Sequence, residues 1–452
     1  MDSKKISLAS YIAVGSMLFG LYFGAGNLIF PVHLGQEAGS NIIPAIIGFL
    51  ITGVGLPFFG VLAIGISNSN GLRDLSSKVS PKYGMFFTIL LYLTIGPFFA
   101  LPRTATVSFE IGIVPFVDSK LALIIFSLIF FALTWAFSMN PSKIMVWIGK
   151  ILNPLFLTFL IFMIIIAFSS PMGEIKGMAP SGGYVDKAFF TGFLEGYNTM
   201  DVLAALAFGI IVVNSIKNLG VDEPIEIGKA TFKSGLLSVA GMGIIYTSLA
   251  LMGAMSVNKF ELSKNGGIAL TQIANYYFGS LGSVLLAIIV VLACLKTAIG
   301  LVTACSETFN EMFPKIPYKV FVNLFSLAGF IVANFGLDSI IKLSTPVLMF
   351  LYPLSITLII LAFVEKFFGI SRNVFIMTTS FTIVGSIFQC LKAMPDIISK
   401  NKYVLNIIDF GDRLLPFSDI GMGWVVPALI GFILSLIFIK LFNKRNIEMH
   451  LN

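Results

Sequence analysis

Charge is scarce in this 452-residue chain: Asp, Glu, Lys and Arg make up 11% of it, well below the quarter typical of soluble domains. Water is therefore not its main solvent. Histidine is nearly absent, with only His33 and His450, which all but excludes a His-built metal or catalytic site. Cys294, Cys305 and Cys390 are too few for a disulfide framework. The first two share one predicted helix, roughly 16 Å apart along its axis, so no bridge is expected between them. No G-x-x-x-x-G-K-[ST] phosphate loop occurs, which argues against an ATP-driven pump. The opening Met1-Asp2-Ser3-Lys4-Lys5 resembles a signal-peptide start but no A-x-A cleavage pattern follows, so the first apolar run is read as a retained helix.

What is present is apolar: 57% of residues are hydrophobic and the mean hydropathy is +0.96. Apolar stretches long enough to cross ~30 Å of hydrocarbon as helices recur throughout. Reading them between charged or Gly/Pro/Asn-rich breaks predicts twelve spans, near 8–33, 41–66, 83–103, 120–138, 148–168, 187–216, 231–255, 279–305, 318–334, 338–364, 373–391 and 421–441. The expected fold class is an all-α membrane protein of about twelve transmembrane helices. Lys and Arg are more frequent in the loops that face the cytoplasm when both termini lie inside, which favours that orientation. The formal charge of +7 is spread over short connections and suits anionic lipid headgroups better than nucleic acid. The 45 phenylalanines read as lipid-facing surface. Two longer connections, 169–186 and 392–420, would form short helices or lids on the outer side.

Two spans carry polar interruptions. In span 1, Gly20-Leu21-Tyr22-Phe23-Gly24-Ala25-Gly26-Asn27 sets three glycines and an asparagine amid apolar residues. Glycine weakens a helix there. Gly20-x-x-x-Gly24 also matches a helix-packing seam, and both readings stand. If the helix breaks, the amides that begin its second half suit a carboxylate. In span 6, Glu195-Gly196-Tyr197-Asn198-Thr199-Met200-Asp201 brings two acids, an amide and a hydroxyl to the middle of a membrane segment, where ionisable residues are costly and usually functional. Asp201 is equally well read as the N-cap of a second half-helix. Glu195 falls at the negative end of a first half-helix, making it a candidate proton carrier or cation partner, or a buried structural acid. Paired interrupted spans point to a transporter's binding site. Five spans separate them, so residues 1–170 (helices 1–5) and 187–364 (helices 6–10) are expected to be inverted repeats, with 365–452 adding two helices and an outer loop.

Other classes fare worse. Glu110, Glu195, Asp201, Lys296 and Glu307 are the only deep candidates for enzyme chemistry, and no ligand spacing links them. A passive channel does not need paired broken helices. Arg103, after Pro97 and Pro102 at the end of span 3, reads as a kinked helix end anchored at the membrane interface.

With these residues in hand, the chain resembles the bacterial branched-chain amino acid carrier family, the leucine-isoleucine-valine:cation symporters. The carrying segments are Leu18 to Pro31, Glu195 to Leu206, and Leu292-Ala293-Cys294-Leu295-Lys296-Thr297-Ala298-Ile299-Gly300-Leu301-Val302-Thr303-Ala304-Cys305 in span 8. The resemblance implies the amino acid-polyamine-cation superfamily fold, with helices 1 and 6 broken, and import of a branched-chain amino acid with sodium or a proton. It implies a substrate site at Phe23, Gly24, Ala25, Gly26 and Asn27, and at Glu195, Gly196, Tyr197, Asn198 and Phe208. Weak discrimination among leucine, isoleucine and valine is expected, since one methylene changes affinity by about 1–3 kcal/mol. It further implies an ion or proton site drawing on Gly20, Thr297, Thr303 and Glu195, with Lys296 standing where the superfamily has a hydroxyl. Lys296 lies ~15 Å along the helix from Ser306, too far to snorkel, so its ammonium is a candidate for the sodium position. No cofactor, beyond sodium as a possible coupling ion, and no protein or nucleic-acid partner is expected; the setting is the bacterial cytoplasmic membrane.

Overall fold

The computed structural model describes residues 7–24, 26–67, 69–139, 144–221 and 223–449. The first apolar run is divided into α1 (Leu8–Tyr22) and α2 (Gly26–Ala38). The second is α3 (Ile42–Leu50) and α4 (Leu56–Ile66), joined through a single π-turn at Ile51–Gly55. After the short α5 (Leu72–Ser77), the third comprises α6 (Pro81–Leu93) and α7 (Ala100–Gly112). These two part at Thr94–Phe98, where Gly96 leaves helical geometry beside Pro97, the kink that proline imposes. The helix then continues to Gly112, well beyond the boundary expected at Arg103. Helices α8 (Lys120–Ser138) and α9 (Ile144–Ser169) follow.

The sixth run is broken too: α10 (Ala188–Glu195), a 3₁₀ turn over Gly196–Thr199, and α11 (Asp201–Lys217), with a bend of 46° between the two arms. Next come α12 (Pro224–Ser256) and α13 (Gly266–Met312). The predicted start of span 8 at 279 coincides with an interruption at Gly279, whose φ of 61° turns a first helical arm into the long helix. Helices α14 (Tyr318–Ala333), α15 (Leu337–Phe368) and α16 (Arg372–Lys392) complete the bundle. The 392–420 connection folds into α17 (Asp396–Ser399), α18 (Lys402–Leu414) and a 3₁₀ turn at Ser418–Ile420, before α19 (Val425–Met449).

Every regular element among the described residues is helical. Among the described residues, seven helical segments are long and apolar enough to cross a membrane, with α2–α4 and α6–α7 each counted as one, or eight if the bent α10–α11 pair is one span. With side chains such as Leu121, Ile125, Leu128 and Ile129 of α8 exposed to the outside, this is a multi-pass membrane protein. In α18, exposed Tyr403, Ile407, Phe410 and Leu414 fall on one face, as in helices that lie in the membrane interface. The 169–186 connection is strapped over the end of α2 by Ser40 N–H to Met178 O (2.9 Å) and Ser181 N–H to Glu37 O (2.8 Å).

Candidate functional site

Small residues let one arm of each break pack closely on a neighbouring helix. A methyl group on Gly192 of α10 would stand 2.1 Å from the Ala45 carbonyl of α3, and one on Gly35 of α2 would stand 1.9 Å from the Ala250 carbonyl of α12. No side chain fits at either crossing. Thr52, in the π-turn between α3 and α4, donates 2.7 Å to Phe193 O, one turn before the 3₁₀ segment of span 6. The second and seventh spans thus brace α10 and α2, one arm of each break.

At the first break, α1 ends at Tyr22 and Phe23 is extended (φ −72°, ψ 103°). Asn27 caps the gap from within α2: its Oδ1 accepts the Gly24 N–H at 2.8 Å. The Gly24 amide is therefore already engaged. Ala25 lies outside the described residues. The other end of the same amide crosses to the second break, where Asn27 Nδ2 donates 2.7 Å to Asp201 Oδ2 and also contacts the Tyr246 hydroxyl. Tyr246, on α12, donates to the same carboxylate oxygen at 2.8 Å. Asn27, Asp201 and Tyr246 are all buried.

The N-cap expectation for Asp201 does not hold. The residue before α11 is Met200, in the left-handed region at φ 62°, and no side chain caps the helix. A left-handed non-glycine residue costs roughly 1–2 kcal/mol and persists only when its surroundings enforce it. Here the enforcement is visible: Thr199 Oγ1 is bonded to Gly196 O (2.9 Å) and to the Asp201 N–H (3.3 Å). The Asp201 carboxylate is thereby turned across the bundle toward Asn27 and Tyr246.

Arg103 requires the second correction. It is 3% exposed and does not anchor an interface; α7 runs past it and carries it to the span 6 break. Its Nη1 donates 2.6 Å to Asn198 O and its Nη2 reaches Thr199 O at 3.4 Å. The guanidinium lies 5.0 Å over the Phe30 ring, a cation–π arrangement. A methyl on Gly26, the first residue of α2, would be 3.1 Å from Nη2, so glycine there admits the guanidinium. The group also sits in the field of Asp201 and Glu195.

The remaining expected residues divide into two sets. Glu195 closes α10 and accepts the Asn198 side-chain amide at 3.1 Å. Gly196 leaves room for Thr52, whose Oγ1 would be 1.9 Å from an added methyl. Tyr197 is buried and stacks on Tyr352 of α15 with centroids 4.0 Å apart. Phe208 lies farther along α11, half-buried against the core. Gly20 sits near the end of α1, which packs on α12 and α11, whereas α13 packs chiefly on α7 and then on α9, α14 and α2. Thr297 donates to Ala293 O within α13 at 3.1 Å, and Thr303 is buried. The third span and α13 run antiparallel, with Gly96 of the kink before α7 against Cys305 and Gly112 of α7 against Val291, which sets Lys296 close to the depth of Arg103.

Comparison with known proteins identifies the family of the chain. The pattern defining the family described as "Branched-chain amino acid transport protein" matches residues 7–442. The branched-chain amino acid permease BrnQ of Lactobacillus delbrueckii subsp. lactis is 48% identical over 434 residues, covering 95% of this chain and 96% of that protein. A protein of the same description in Bacillus subtilis (strain 168) is 45% identical, over 95% and 96%. Among solved structures, Mhp1, a nucleobase-cation-symport-1 family transporter in a closed conformation with bromovinylhydantoin bound, superposes with a TM-score of 0.57 over 96% of this chain and 93% of that one. At 14% identity that likeness speaks for the fold alone.

Proposed function

Because the chain belongs to the branched-chain amino acid transport protein family, we propose that it is a secondary transporter that imports leucine, isoleucine and valine with a co-transported sodium ion or proton. Family membership makes it a membrane permease and not an enzyme. The setting proposed is a bacterial cytoplasmic membrane with both termini inside, and residues 1–170 and 187–364 acting as inverted repeats that alternate access around the centre.

The observation that carries this reading is the joining of two broken helices through Asn27 and Asp201. Unwound backbone at membrane depth is tolerated where it is buried in protein or lines a cavity, and interrupted pairs are where transporters hold substrate and ion. In our reading the substrate carboxylate lies at the start of α2, by Gly26 and Asn27. Its aliphatic side chain packs toward Tyr197 and Phe208. Glu195 takes the ammonium or the coupling proton, since the span 6 carbonyls of Asn198 and Thr199 are held by Arg103. Coupling rests on the Gly20, Thr297 and Thr303 region of spans 1 and 8, with the Lys296 ammonium in the position of a sodium ion.

The test is uptake of radiolabelled isoleucine by proteoliposomes under separately imposed sodium and proton gradients, for wild type and Lys296→Thr. Accumulation driven by a proton gradient alone, with sodium dependence created by the substitution, supports the whole reading. Sodium-driven uptake by wild type keeps the transporter and removes the Lys296 role. No accumulation under either gradient overturns coupled transport of these amino acids.

A further inference from the structure

A buried guanidinium is costly unless its charge and donors are met. Among the described residues, the hydrogen bonds of Arg103 lie on one side. Two carbonyls, Asn198 O and Thr199 O, take two of its N–H groups, while a guanidinium offers five in a planar fork. Among the described residues it forms no direct ion pair: Asp201 is engaged by Asn27 and Tyr246, and Glu195 by Asn198. Asp201, Tyr352 and Glu195 lie near enough to act on its charge without contacting it, and its other face meets the Phe30 ring and the first turn of α2 at Gly26. A positively charged fork therefore stands beside the positive end of a helix, deep in the bundle. A guanidinium fork and a helix N-terminus placed side by side can donate to one anion that lies against both.

Building on the transport reading above, we propose that Arg103 is the specificity-determining residue for the substrate's α-carboxylate, which it grips together with the N-terminal turn of α2. The planar fork matches two carboxylate oxygens, which a lysine cannot do. Its bonds to Asn198 and Thr199 add a consequence. The residue that senses the carboxylate also holds the turn ahead of left-handed Met200, so substrate at span 1 is felt directly at the break in span 6. The amino group and side chain are left to other residues, so Arg103 separates amino acids from the corresponding amines rather than leucine from valine.

The experiment is competition against radiolabelled isoleucine uptake in proteoliposomes by leucine, by leucinamide, which keeps the amino group and side chain but has no carboxylate, and by 3-methylbutylamine. In wild type, leucinamide and the amine should compete at least about 30-fold more weakly than leucine, the scale of losing a charge-assisted contact. In Arg103→Gln, leucine should weaken by about that factor while leucinamide hardly changes, so the preference collapses. Arg103→Lys should keep part of the preference. Gly26→Ala, which pushes a methyl against the guanidinium without changing charge, should lower the preference in the same direction, and it decides the matter if Arg103→Gln fails to fold. A leucine-to-leucinamide ratio unchanged in these variants, with both ligands weakened together, would mean that Arg103 only props the span 6 turn, and would overturn the proposal. Wild-type protein that neither binds nor takes up isoleucine overturns the transport reading and the Arg103 assignment with it, whereas normal wild-type uptake with an unaltered ratio in the variants overturns only the latter.

Discussion

The polar network at the helix breaks and the one over the outer end of the bundle use similar bonds in opposite surroundings. At the breaks, Asn27, Asp201, Tyr246 and Arg103 are buried, and every donor lost leaves a partner unmatched in low dielectric. At the outer end, Lys392 pairs with Asp412 at 2.8 Å, Lys187 pairs with Asp419 at 2.6 Å, and Ser418 donates to Asp412 at 2.6 Å, all at least partly in water. This cap overlies a cavity of about 260 Å³ lined by Lys187, Leu194, Gln389 and Asp419 among others. The difference teaches that contact geometry alone does not rank the two. Solvent does: the central bonds define a structure, whereas exposed pairs contribute little because water replaces them.

The sharpest way to break the comparison is Asp201→Ala. It removes the acceptor of two buried hydrogen bonds, each worth about 1.5–3 kcal/mol when one partner is charged. The expected result is a loss of about 3 kcal/mol or more in thermal or denaturant unfolding in detergent, together with loss of uptake. Gly192→Ala comes next: a methyl 2.1 Å from the Ala45 carbonyl forces α3 and α10 apart, and we expect a cost of about 1–3 kcal/mol, read in the same melts. Tyr246→Phe keeps the ring, which meets Phe49 edge-on at 5.4 Å, and removes one hydroxyl; about 1–2 kcal/mol is expected, with weaker isoleucine uptake.

The smallest effect belongs to Asp412→Asn, for which we expect no more than about 1 kcal/mol and unchanged uptake. Burial raises the Asp412 carboxyl, but hydrogen bonds from Lys392 and Ser418 outweigh it and hold the group below its ordinary range. The bond from Lys187 lowers Asp419 likewise. A depressed carboxylate contributes its stability above the unfolded pKa, about 3.9, and loses it as pH falls through the lower folded value. The cap therefore stays paired across pH 5–8, and pH–uptake profiles of wild type and Asp412→Asn should coincide there. A step in that range present in wild type and absent in the variant would contradict the ranking.

Much of this was legible in the sequence where chemistry interrupts an apolar run. Gly24, Gly26 and Asn27 marked the first break, and Glu195 to Asp201 the sixth, because glycine, amides and acids have no reason to stand mid-membrane unless the helix opens. Arg103 was not legible, because a charge following Pro97 and Pro102 has the appearance of a helix end. The signal that it is internal was the small, polar continuation Thr104-Ala105-Thr106-Val107-Ser108, which extends α7 to Gly112. Asp201 stayed open between a cap and a functional acid because a cap and a cross-bundle acceptor occupy the same position before an apolar run; the left-handed turn at Met200 separates them. Tyr246 carries no sequence mark at all, since one tyrosine among apolar residues of α12 is ordinary until a partner 219 residues away meets its hydroxyl.

The most direct test of the central claim, that substrate is held where the two breaks meet and not beneath the outer cap, is equilibrium binding of radiolabelled isoleucine to purified wild type, Asn27→Ala and Asp412→Asn, each verified as folded. The account predicts that Asn27→Ala loses at least about tenfold in affinity while Asp412→Asn binds like wild type. Equal binding by wild type and Asn27→Ala, with affinity lost in Asp412→Asn, would contradict it.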